Sequence, residues 1–152
     1  MSHLILGVIG IMLAAAAALI VVNYGGDYYL DAYNDGDAMN VENGLTNVLT
    51  AYRVHEMRTG SRPADMAAIL PETGSGALKN LPPVRHGGSW SNEWRSLDVE
   101  GRTVPSAVIE GVDERVCLSV NARALVEGIP AEPVGALGCF QDGSDYVAYR
   151  TL

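Results

Sequence analysis

The sequence predicts an α+β fold: a long N-terminal hydrophobic helix, then an amphipathic helix packed on a small antiparallel β-sheet. Three observations carry this. One uninterrupted apolar run near the N-terminus has the length of a helix, the segment after it repeats apolar residues at helical spacing, and the second half alternates around tight-turn dipeptides. At 152 residues the chain has room for one domain of ordinary size beside that run.

The apolar run is Leu4 to Val22, without a charge or a polar side chain. Its length of about 19 residues, at 1.5 Å rise each, spans roughly 28 Å, close to a hydrocarbon core. A cleaved secretory signal fits poorly, because Met1-Ser2-His3 holds no Lys or Arg and Ala14 to Ala18 lie inside the run. A plain membrane anchor fits the length. So does a stalk that packs against copies of itself, since Gly7, Gly10 and the five alanines permit close helix approach. Leu4, Ile5, Gly7, Gly10, Ala14, Ala16 and Ala18 are the candidate subunit contacts.

Asn23 to Asp37 reads NYGGDYYLDAYNDGD. Gly25-Gly26 and the carboxylates at 27, 31, 35 and 37 predict a break or bend there, with Asp37 capping the next helix. From Ala38 to Arg58, Val41, Leu45, Val48, Leu49 and Tyr52 share one face, and Gly60 ends the helix. Residues 1–37 are thus read as a membrane or filament-core helix with an acidic hinge, and 38–152 as a head domain. SRPADMAAIL at 61–70 predicts about two turns of helix with Pro63 in the first turn. Strands follow at 90–99 and 102–109 around Glu100-Gly101, and at 136–141 and 144–150 around Asp142-Gly143. Residues 113–126 are read as a helix from the four-residue spacing of Val112, Val116, Val120 and Ala124, although VCLSV would also pass for a strand. Trp90 and Trp94 are expected to pack on the sheet.

Acidic residues crowd just beyond the apolar run and the first basic residue after it is Arg53, which is compatible with export of the head. An even cysteine pair agrees. Cys117 and Cys139 could close a loop of about 23 residues, worth roughly 3 kcal/mol. A net charge of −8 argues against nucleic-acid binding through the head. No catalytic, cofactor or metal site is read. His55-Glu56 lacks a second histidine, because Thr59 stands four residues on, so a solvated helix face is expected there. Asp31 to Glu42 matches a calcium loop at the first, fifth, sixth and twelfth places but offers Tyr33 at the third; it is read as the acidic hinge.

Together, the apolar helix running into an amphipathic one, AYRVHEMRTGSRPADMAAIL at 51–70 and ALKNLPPV at 77–84 resemble type IV pilins and type II secretion pseudopilins. VCLSVNARA at 116–124 and GCFQDGSDY at 138–146 are similar to type IVb pilins, including those of conjugative thin pili. The resemblance implies a disulfide between Cys117 and Cys139 that closes a surface region. It also implies a helical filament of identical subunits, an inner-membrane stage, contact with a pilus assembly machinery, and display for adhesion, motility or mating contact. The alternative is a membrane-anchored periplasmic accessory or binding protein that forms no long fibre. Pilins carry a glutamate at the fifth residue of the processed chain; with Met1 as that terminus, Ile5 stands there.

Overall fold

A computed structural model describes residues 2–85 and 88–152. Within the first helix, side chains are described at Val8, at 11–22, at Gly25 and from Leu30 onward. The chain is α+β with three helices and a small antiparallel sheet. Helix α1 is Ser2–Thr59. A short 3₁₀ helix, Met66–Ile69, follows. Then come β1 (Ser89–Trp90), β2 (Arg95–Val99), β3 (Arg102–Glu110), helix α2 (Glu114–Arg123), β4 (Leu137–Asp142) and β5 (Asp145–Thr151). The chain divides into two compact units, Met1–Asn34 and Asp35–Leu152.

The break expected between Asn23 and Asp37 is absent, because α1 is one continuous helix. A helical glycine costs about 1 kcal/mol and a like-charge pair four residues apart a few tenths. No proline interrupts the stretch, and each propagation step adds a backbone bond. These penalties weaken the helix without ending it. Asp37 is therefore a buried mid-helix residue, not a cap. The calcium-loop frame at 31–42 is helix throughout, which spreads its carboxylates along the axis instead of around an ion.

Among the described residues no helix is long and apolar enough to cross a membrane. The described apolar stretch is Ile11–Val22, and beyond it α1 continues into Gly25, Asp31 and Asp35. Leu4, Ile5, Gly7 and Gly10 lie outside the residues whose side chains are described.

The second unit is built on the expected face of α1. Ala38, Val41, Leu45, Val48 and Ala51 pack with Met66 and Ile69, with Val116, Cys117 and Val120 of α2, and with Ala107, Ile109, Cys139 and Ala148 of the sheet. α1 ends as expected. Gly60 takes φ 73°, which the left-handed region grants glycine cheaply. The segment after Pro63 is shorter than expected. Asp65 caps it by accepting a bond from the Ala68 N–H at 2.9 Å, and only the four residues Met66–Ile69 are 3₁₀.

The sheet is antiparallel with β3 and β5 central and β4 at one edge, while β1 and β2 both pair with β3. The single strand expected over 90–99 is two pieces. Between them Asn92 O accepts from the Met66 N–H, and Trp94 turns inward onto Tyr52, with ring centroids 5.3 Å apart. Val99 pairs with Arg102, so Glu100 and Gly101 form a two-residue hairpin loop with φ 53° and 75°. The second hairpin sits one residue later than expected. Asp142 pairs with Asp145, which leaves Gly143-Ser144 as the loop, with Gly143 at φ 65°. Positive φ only at the first loop position is the alternative two-residue turn, which asks for glycine there.

The opposite sheet face holds a second buried cluster of Leu97, Val99, Val108, Phe140, Val147 and Tyr149. The Arg95 guanidinium lies 6.0 Å from the Phe140 ring centroid, and Arg95 also pairs with Asp142 and, at 3.9 Å, with Glu110.

Candidate assembly surface and disulfide region

Two regions hold the residues singled out from sequence. The first is the N-terminal part of α1. Ile11, Met12 and Leu13, then Leu19 to Val22, are exposed at 59–72%, and Ala14 to Ala18 are exposed as well. Consecutive residues on a helix point in all directions, so exposure of every one from Ile11 to Val22 means an apolar surface all the way round. A soluble surface helix shows one apolar stripe, and a uniformly apolar helix is normally enclosed. A contiguous exposed apolar surface of this kind is uncommon on a soluble monomer. Ala14, Ala16 and Ala18 belong to this segment.

The second region is α2 and the strand behind it. Asp113 caps α2 by accepting from the Arg115 N–H at 2.9 Å, which favours helix over the strand alternative. Cys117 and Cys139 are joined by a disulfide, with Cα atoms 5.4 Å apart. Sequence reasoning missed Asn121. Its buried amide donates to Gly128 O and Cys139 O, both at 2.8 Å, and its carbonyl accepts from the Cys139 N–H at 2.7 Å. The outward backbone groups of Cys139 are thereby paired, and Gln141 N donates to Pro130 O at 2.9 Å beside them. β4 is an edge strand whose free groups would otherwise recruit another chain. Gly138 leaves the room this needs, since a Cβ there would lie 3.3 Å from the Asn121 oxygen and 3.2 Å from the Tyr149 hydroxyl.

Tyr149 closes the same region. Its hydroxyl donates to Val134 O at 2.6 Å, and burial pushes its phenol up to about 12, with the charge of Glu100 adding to the rise. At the end of α2, Val126 N donates to Asn121 O and Leu125 N to Ala122 O. That closing pattern places residue 125 in the left-handed region, where glycine is usual. Leu125 occupies it at φ 60° and is 94% exposed. Such a conformation costs a branched residue about 1 kcal/mol, and nothing in the core gains from it.

The remaining candidates are structural. The His55 ring Nδ1 stands 2.9 Å from Ser75 Oγ, and the residue is buried, so the solvated face expected there is instead the seat of the 61–85 segment. Both tryptophans tie the sheet to what lies under it. Trp90 Nε1 donates to Pro82 O and Trp94 Nε1 to Pro63 O. The Trp90 ring lies over Gly44, where an added Cβ would meet it at 3.2 Å. Among the described residues no group of histidine, cysteine and carboxylate side chains could hold a metal ion. No protein family, no curated protein and no solved structure matches this chain.

Proposed function

We propose that this chain is a structural subunit of a type IV pilus-like extracellular filament, held in the inner membrane before assembly and polymerised through the N-terminal part of α1. The observation that carries the reading is the exposed, all-round apolar segment Ile11–Val22 on a helix that continues directly into a packed head. Burying apolar surface is worth about 25 cal/mol per Å², so enclosure of that segment by identical helices is strongly favoured once it leaves lipid. The small side chains at Ala14, Ala16 and Ala18 let those helices approach closely. The head adds a disulfide and a blunted sheet edge, both useful outside the cell. Adhesion, motility or mating contact would fall to the disulfide region, and no chemistry is assigned to it.

Electron microscopy and mass spectrometry of sheared surface material test this. The chain is expected as the repeating unit of a fibre. A protein found only as a membrane-tethered monomer would replace the reading with the periplasmic accessory role.

A further inference from the structure

Cys117 and Asn121 lie one turn apart on α2, and both act on a single residue of β4. The cysteine holds the Cys139 side chain through the disulfide. The asparagine holds the Cys139 backbone, accepting from its N–H at 2.7 Å and donating to its C=O at 2.8 Å. Residues four apart share a helix face, so the covalent grip and the hydrogen-bonded grip stand side by side. The other amide hydrogen of Asn121 goes to Gly128 O. Cys117 is 0%, Cys139 1% and Asn121 1% exposed.

Thiol–disulfide exchange requires a thiolate to touch one sulfur, so its rate depends on access. The attacking thiolate forms a mixed disulfide and releases the other cysteine as thiolate. A second thiol completes the exchange, leaving two protein thiols and one new disulfide on the reductant. None of this starts while α2 covers β4, because neither Cys117 nor Cys139 offers surface to an incoming sulfur. The opening step is separation of α2 from β4, and two of the three Asn121 bonds cross that junction. Those bonds involve no sulfur, so they remain after reduction. The forming reaction meets the same barrier, since an oxidising disulfide has to reach a thiol of the seated pair.

We propose that Asn121 gates the chemistry of the 117–139 pair: thiols and disulfides exchange with it only when α2 leaves β4, and the amide sets how often that local opening occurs. The full chain in detergent is reduced with dithiothreitol under native conditions, for wild type, Asn121→Ala, Gly138→Ala and Leu97→Ala. Leu97→Ala controls for general loss of stability, because Leu97 is buried on the other sheet face, with β3 and β5 between its strand and β4. Gly138→Ala keeps Asn121 but sets a Cβ 3.3 Å from its oxygen. Chemical denaturation supplies the stability of each variant. Folded wild type is expected to be reduced many-fold more slowly than the same chain unfolded in urea. Asn121→Ala should react at least several-fold faster than Leu97→Ala once their stabilities are taken into account, with Gly138→Ala between it and wild type. Reduced wild type returned to native buffer should resist iodoacetamide, whereas reduced Asn121→Ala is alkylated at both cysteines. Wild type reduced as fast folded as unfolded overturns the gate. Rates for Asn121→Ala that follow its stability loss alone, as in Leu97→Ala, overturn it too and leave the amide a structural bond. Should Asn121→Ala fail to fold, the same comparison of Gly138→Ala with Leu97→Ala decides.

Discussion

At the residue scale, Asn121 concentrates more of the head's specificity than any position the sequence marked. Three hydrogen bonds converge on one buried amide, and Asn121→Ala strips the partners from buried backbone groups that cannot reach water. At 1–3 kcal/mol per orphaned group, a loss of about 3 kcal/mol is expected in chemical denaturation, along with a new tendency to associate through β4. Tyr149 predicts a pH response. Its folded phenol, at about 12, lies above the ordinary value near 10. The folded state therefore holds its proton where the unfolded state has released it. Stability from this group is complete below about pH 10 and is lost as pH rises towards 12. Tyr149→Phe should flatten that alkaline decline, and ultraviolet titration should find this phenol ionising last or only on unfolding. Neither residue was legible in sequence. An asparagine inside VCLSVNARA looks like any polar helix residue until β4, a distant segment, is laid against it.

At the element scale, Gly36 and Gly44 of α1 have opposite expected behaviour. A Cβ at Gly36 meets nothing within 4 Å, whereas one at Gly44 meets the Trp90 ring at 3.2 Å and Pro82 at 3.4 Å. Gly36→Ala should raise stability by up to about 1 kcal/mol through helix propensity alone. Gly44→Ala gains the same propensity but crowds the indole, and Gly44→Leu should cost about 1–3 kcal/mol by overpacking. Thermal unfolding of the three variants checks the ordering. The disulfide belongs to this scale too. Mass measurement after alkylation should find no free thiol without reductant, and replacing both cysteines by alanine should cost roughly 3 kcal/mol. Element identities were readable wherever periodicity or turn chemistry is local, as for 38–58 and the Glu100-Gly101 hairpin. The split at 91–94 was hidden because it answers to the 3₁₀ segment and to Tyr52, remote in sequence.

At the scale of the whole molecule, the proposed assembly predicts that Ala16→Leu leaves the head's unfolding unchanged while fibre yield drops. The substitution keeps hydrophobicity but enlarges a side chain where helices must approach, at a typical cost of about 1–3 kcal/mol for each contact. Normal yield would argue against close stalk packing. What the amino-acid order determined by itself was what depends on near neighbours: the amphipathic helix over 38–58, two tight hairpins, and a cysteine pair at a plausible spacing. Their signals lie within a few residues of one another, so the chain states them locally. Three things needed the tertiary structure. Continuity of α1 through 23–37 was decided by the sum of small penalties against helix propagation, which composition alone overweighted. Burial of His55 was decided by a segment that folds back on it. The exposed, strained Leu125 and the paired edge of β4 exist only once α2 is seated on the sheet, because both depend on which surfaces the packing leaves outside and which backbone groups it leaves unpaired.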